Sequence, residues 1–136
     1  HMLYHIDPHL WRQFFVSVSS CLKPGAKLIV ILWNERSKLL WGCRELVPNR
    51  WLADCDSLLE RVDFPEMFLQ LEERIDIDPR IKCWSNESPE IITKFFLGSS
   101  FNDIRRDLWE PFFKDLISQN GIRNSQSILV LKGRSR

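Results

Sequence analysis

Glycine is scarce in this 136-residue chain, with five copies, and none of them falls in a G-x-G-x-x-G arrangement. The loop that lets a dinucleotide pyrophosphate approach a helix N-terminus is therefore missing from these residues. An excess of either charge is lacking too, since 19 Lys and Arg against 18 Asp and Glu leave a net charge of +1. That balance excludes the basic footprint of a nucleic-acid binder and the polybasic patch of a membrane-surface protein. No apolar run approaches the roughly 18 residues of a bilayer-spanning helix. The four cysteines, Cys21, Cys43, Cys55 and Cys83, form neither a C-x-x-C pair nor a zinc-ligand spacing. They read as free thiols in a reducing compartment, and the expected location is cytoplasmic.

What is present is a chain of ordinary globular composition, 44% apolar and 27% charged, long enough for one domain spanning residues 1–136. His1-Met2 reads as a scar left by a cloning vector and is set aside. Six Trp and nine Phe are many for this length; such side chains fill cores or line pockets for flat ligands.

The richest stretch is Leu3 to Trp33. Leu3-Tyr4-His5-Ile6 reads as a strand end, after which Asp7 supplies an N-cap and Pro8 a pre-set first helical residue. Leu10, Trp11, Phe14, Phe15, Val18, Cys21 and Leu22 recur at helical spacing, which puts Cys21 on an apolar face as a small buried hydrophobe. Lys23-Pro24-Gly25 stops that helix, and Lys27 to Trp33 (KLIVILW) follows. Its length and β-branched content predict a strand covered on both faces, as in a parallel sheet.

Further along, Leu39, Leu40, Cys43, Leu46 and Val47 predict a helix that Pro48 ends, and Asp54 can cap a short helix carrying Leu58, Leu59 and Val62. Met67 to Ile77 alternates apolar and polar around Glu72-Glu73-Arg74, the pattern of a half-exposed, bulged strand. Ile81 to Trp84 adds a short strand extension. Ser88-Pro89 opens a helix whose apolar face is Ile91, Ile92, Phe95 and Phe96. Ile104, Leu108, Phe112 and Leu116 mark another, which either begins after Pro111 or kinks there. Gly121 is a C-cap candidate, and Ser127 to Lys132 (SILVLK) is the last strand.

Strand, helix, Leu22-Lys23-Pro24-Gly25-Ala26, strand, helices, strand, strand: this order resembles the second half of a class I S-adenosylmethionine-dependent methyltransferase. In that family SILVLK sits where the final strand inserts antiparallel to the one formed by Met67 to Ile77. Within the superfamily, Leu3-Tyr4, Phe14-Phe15, Lys38-Leu39-Leu40-Trp41, Ile91 to Phe96 and Asn124-Ser125 are similar to motifs of the histamine N-methyltransferase-like proteins. The resemblance implies an α/β fold: an incomplete, C-terminal half of a Rossmann-like methyltransferase sheet with flanking helices. It implies transfer of a methyl group from S-adenosylmethionine to a small amine. The Gly-rich loop and the ribose-binding acidic residue of the family would lie upstream of Leu3. This chain alone is therefore expected neither to bind S-adenosylmethionine nor to be active, as a fragment, a truncated paralogue or one half of an assembly.

Ligands of doubly wound sheets bind beyond the carboxyl ends of the strands, here Tyr4 and His5, and Trp33 and Asn34. By resemblance, Tyr4, Trp41, Phe95 and Asn124 line the amine site, Trp41 as an aromatic wall that also suits a cation. Each has a structural alternative: a strand-end phenol for Tyr4, core packing for Trp41 and Phe95, and a turn residue for Asn124. His5 is either a base beside the acceptor or a backbone-bonded side chain. No catalytic residue is assigned. His5, Asp7 and His9 are not expected to hold a metal, because capping already accounts for Asp7. The other reading is a non-catalytic interaction module, a homodimer or swapped assembly joined through an exposed sheet edge near Leu3 or Lys27 to Trp33.

Overall fold

The computed structural model describes residues 3, 6–48, 52–82, 89–118 and 121–135. Asp7 opens the first helical segment as the sequence predicts: its carboxylate accepts from the His9 N–H at 2.9 Å over the 3-10 turn Pro8–Leu10. The chain runs on into α1, Trp11–Cys21, where Trp11, Phe15 and Ser19, four apart, face inward. After α1, Gly25 takes φ +84, a conformation that costs a side-chain-bearing residue about 1–2 kcal/mol. The chain then enters β1, Lys27–Trp33.

The chain divides into two units, the first made of residues 1–35, 53–77 and 126–136. Its sheet holds β1, β2 (Leu69–Ile77) and β5 (Gln126–Gly133) in the order β1-β5-β2. β5 is antiparallel to both neighbours, with Val30 opposite Leu129 on one side and Ile75 opposite Ile128 on the other. The last strand thus inserts between two strands that run parallel to each other. The expected bulge falls between Leu71 and Glu73, and Glu72 there meets Lys27 at 3.3 Å and Lys132 at 3.2 Å. A short helix, α3 (Cys55–Arg61), starts at Asp54, whose carboxylate accepts from the Ser57 N–H at 2.9 Å.

Alternation divides the sheet's two faces. Val30, Leu32, Leu129 and Leu131 point into a core completed by Trp11, Phe15, Leu58, Phe64 and Met67, where Phe15 and Phe64 meet edge to face at 5.2 Å. Each such side chain contributes about 1.5–3 kcal/mol by leaving water. The opposite face is open. Ile29 is 61% exposed and Ile31 40%, so KLIVILW forms as a strand but is not covered on both faces, and its pairing is antiparallel. Leu3 lies in a 3-10 turn and Ile6 in a bend rather than in a strand. Cys21 is exposed, correcting its expected burial, because the buried stripe of α1 is narrow, made of Trp11, Phe15 and Ser19.

The second unit comprises residues 36–52 and 78–125. Ser37 caps α2, Lys38–Leu46, by accepting from the Leu40 N–H at 3.2 Å. A two-stranded antiparallel ribbon pairs β3 (Arg80–Ile81) with β4 (Ile122–Arg123). Two helices follow the ribbon's first strand in the chain, α4 (Pro89–Leu97) and α5 (Arg106–Ile117), and they pack on each other. Helix α5 starts well before Pro111 and runs through it. Phe101 and Trp109 meet at a tilt with ring centres 5.4 Å apart, both buried. The expected burial of Ile91 and Phe95 fails: both side chains of α4 point to solvent, Phe95 at 80% exposure.

Candidate functional site

Beyond the carboxyl end of β1 the first unit builds a polar network that runs from buried Ser127 and Asn34 out to exposed Asp76 and Arg74. Ser127 and Asp76 are register partners on β5 and β2, on the face that holds Leu129 and Leu131, and the Ser127 hydroxyl donates to the Asp76 carboxylate at 2.5 Å. Asn34, the residue after β1, donates its amide to the same hydroxyl at 3.4 Å. Arg74 bridges outward, donating to Asp76 at 3.1 Å and to Asp56 at 2.8 Å. Asp56 also accepts from the Glu35 N–H at 3.3 Å. The strand end, the loop after it and the first turn of α3 are thereby tied to one carboxylate–guanidinium chain.

Cys55 lies fully buried beside this network. Burial pushes its thiol up to about 11, against a weaker opposing pull from the Ser127 hydrogen bond. A thiol protonated throughout the neutral range is a poor nucleophile and a poor metal ligand. Ser127, equally buried, donates to the Asp76 carboxylate and accepts from the Asn34 amide. The arrangement orients the loop after β1.

Of the residues singled out from sequence, Asn34 belongs to this network. Tyr4 and His5 lie outside the described residues. Trp41, Phe95 and Asn124 all belong to the second unit. Trp41 is half exposed on α2, with the Arg44 guanidinium 5.3 Å from its ring centre. Arg44 is held by donating to the Leu52 carbonyl at 3.2 Å. The guanidinium and the indole make a cation–π pair. Phe95 stands clear of the core.

Asn124 is buried, and its backbone N–H donates to the Pro79 carbonyl at 2.8 Å. Its neighbours fix the segment further: Ser125 donates to Asp78, and Arg123 pairs with the same carboxylate at 3.0 Å. Asp78 thus anchors both flanks of Asn124. Of the network around Ser127 and Asp76, the sequence points only to Asn34. The one available signal for the rest is a serine at the parity of Leu129 and Leu131 in an otherwise apolar strand, a polar group that needs buried partners.

The five glycines test whether the chain can cradle S-adenosylmethionine. Gly25 precedes β1, Gly42 lies within α2, Gly98 follows α4, Gly121 precedes β4 and Gly133 ends β5. None stands at a strand's carboxyl end ahead of a helix, and the β1-to-α2 connection is Asn34-Glu35-Arg36-Ser37. These residues do not fit the cofactor. No protein-family model matches the sequence, and no curated protein matches it either.

Proposed function

We propose that this chain is the acceptor-side, C-terminal portion of an S-adenosylmethionine-dependent N-methyltransferase acting on a small amine, with a Rossmann-like sheet of which these strands are one end. The observation that carries the reading is the insertion of β5 antiparallel between the mutually parallel β1 and β2, in a chain where a Lys-Pro-Gly turn leads into β1. Methyl transfer to an amine is an in-line displacement, so the protein's part is to hold and align the acceptor. In this reading Trp41 offers an indole face to a protonated or partly charged amine, and Asn124, anchored on both sides by Asp78, offers a fixed polar group. Tyr4, His5 and Phe95 complete the assignment by resemblance. No step through the cofactor is assigned to these residues.

The test is calorimetric titration of small primary and secondary amines into the chain, with S-adenosylhomocysteine in a parallel titration. Saturable amine binding that weakens at least tenfold in Trp41→Ala supports the acceptor site. Absence of amine binding at millimolar concentration overturns it.

A second reading has its own observation. Ile29 and Ile31 leave an apolar strand exposed at the sheet's rim, and such a rim recruits another chain. The chain is then a non-catalytic interaction module that forms a homodimer or swapped assembly.

A further inference from the structure

We infer, independently of both readings above, that Arg74 is a conformational lock. It closes a ring around the four places where the chain leaves or re-enters the first unit, and so holds their ends as a single junction.

The chain crosses the boundary of the first unit after Glu35, before Ala53, after Ile77 and before Gln126. All four crossings lie side by side at one end of the sheet. Trp33 faces Gln126 in the last pair of the β1–β5 ladder, Ile77 faces the same Gln126 in the last pair of the β2–β5 ladder, and Asp54 forms an isolated parallel bridge with Trp33. The order across the row is therefore Asp54, Trp33, Gln126, Ile77. Backbone pairing joins each to the next, and the two ends of the row are its weak points. Asp54 joins through an isolated bridge and Ile77 through the last rung of an edge strand, positions that open first in a folded chain.

Arg74 ties those two ends together across the face of the sheet. It shares the parity of Asp76 and stands opposite Leu129, on the face that packs against the core. From there its Nε donates to Asp76 at 3.1 Å, and its Nη1 donates to Asp56, in the first turn of α3, at 2.8 Å. Asp76 immediately precedes Ile77, and Asp56 follows Asp54 closely, so the guanidinium reaches from one end of the row to the other. Three further bonds brace the ring: Asn34 to Ser127, Ser127 to Asp76, and the Glu35 N–H to Asp56. Every crossing thus carries a group bonded to another crossing. With the ring closed, the loop after β1 is unable to shift independently of the end of β2. Opened, the crossings become hinge points, where element-terminal residues absorb a conformational change.

An arginine at this position fits bridging better than packing. Opposite buried Leu129 an aliphatic side chain would pack without the desolvation that a charge incurs. The planar guanidinium, unlike an ammonium, presents donors that hold two carboxylates at once in fixed directions. The side chains of Arg74, Asp56 and Asp76 are 31%, 32% and 35% exposed, so carboxylates left without the guanidinium are rehydrated rather than stranded. The lock therefore opens without unfolding the core. A ring also behaves unlike a set of separate pairs: cutting it anywhere releases the same ends, and cutting it twice adds little.

Amide hydrogen exchange of the full chain and its variants tests this, read at Glu35, Ser57, Ile77 and Ser127, one beside each crossing, and at Val30 and Leu129 in the middle of the sheet. In Arg74→Met all four crossing amides are expected to exchange at least tenfold faster, while Val30 and Leu129 barely change. Asp56→Ala should reproduce that pattern, and the double variant should be no faster than either single one. Should Arg74→Met fail to fold by circular dichroism, Arg74→Lys, which keeps the charge and loses the fork, takes its place. Crossing amides that stay protected overturn the lock. So do effects confined to Ile77 and Ser127 in one variant and to Glu35 and Ser57 in the other, adding up in the double variant, since these are the marks of separate pairs. Equal acceleration at Val30 and Leu129 overturns it as well, by showing that Arg74 supports the whole unit and not its crossings.

Discussion

Ser127 donates its hydroxyl hydrogen to Asp76 across the β5–β2 pair at 2.5 Å, inside a sheet face otherwise made of leucines. The bond joins the last strand to the edge strand where the ladder ends. Hydrogen bonds to a charged acceptor contribute more than neutral ones, and the donor here is buried. Ser127→Ala is expected to destabilise the first unit by about 1–3 kcal/mol. Equilibrium urea denaturation checks this, and an unchanged midpoint would show the bond to be energetically idle.

Cys55 makes stability depend on alkaline pH. Its folded pKa, about 11, lies above the ordinary 9.0, so the folded state favours the neutral thiol. Its contribution is therefore complete below pH 9 and is lost as pH rises through 9 toward 11, by on the order of 2 kcal/mol. Comparing the pH slopes of wild type and Cys55→Ala between pH 8 and 11 isolates it. At neutral pH a thiol reagent should modify exposed Cys21 in seconds to minutes while Cys55 reacts only on unfolding.

Glu72 gives the opposite sign. Hydrogen bonds from Lys132 and then Lys27 hold its carboxyl below the ordinary 4.5. What it contributes is present above that value and fades as pH falls through its folded pKa. Nuclear magnetic resonance titration of the side chain should show a lowered midpoint that climbs back in Lys132→Ala. Added salt should do the same, since the group is exposed.

Local chemistry in the sequence announced most of the elements. Asp7, Ser37 and Asp54 stand where short side-chain acceptors stop the chain and start helices, and Asp7 and Asp54 are legible as caps from sequence. The bulge in β2 was visible because three charged residues interrupt an alternating strand. Tertiary outcomes were less visible. KLIVILW looks doubly covered because an apolar run records preference for burial, not which neighbours supply it; here one face finds α1 and α3 and the other finds water. Cys21 and Phe95 failed for the same reason, since helical spacing groups residues on a stripe without saying how wide a stripe the core accepts. At the site, Asn124 could be placed before a strand, but its anchoring by Asp78, 46 residues away in sequence, depends on a ribbon that no local pattern encodes.

Pro111 is the clearest departure from local rules. Sequence left two options, a helix beginning after it or a kink, and the helix Arg106–Ile117 contains it. At that position the proline lacks the N–H that would reach the Asp107 carbonyl one turn back, and its ring crowds that carbonyl. Pro111 is exposed, so replacing it removes little packing. Pro111→Ala is expected to stabilise the second unit by about 1–3 kcal/mol, read as a higher thermal midpoint and greater helical ellipticity. An unchanged midpoint would mean that tertiary contacts already absorb the missing bond.

Gly121 is expected to tolerate nothing larger. It holds φ +62 just before β4, and a Cβ built there would sit 2.5 Å from the Ile81 carbonyl oxygen and 2.6 Å from the Lys82 side chain. The lysine side chain can move aside; the carbonyl belongs to the strand that β4 pairs with and cannot. Left-handed backbone costs a non-glycine residue about 1–2 kcal/mol before any clash. Gly121→Ala should therefore loosen the β3–β4 ribbon and, with it, the Asp78 anchor of Asn124. Amide hydrogen exchange at Ile122 and Asn124 reads this directly: both should lose protection in the variant while Val30 and Leu129, in the other unit, keep theirs. Equal loss in both units would show instead that the ribbon and the sheet unfold as one cooperative body.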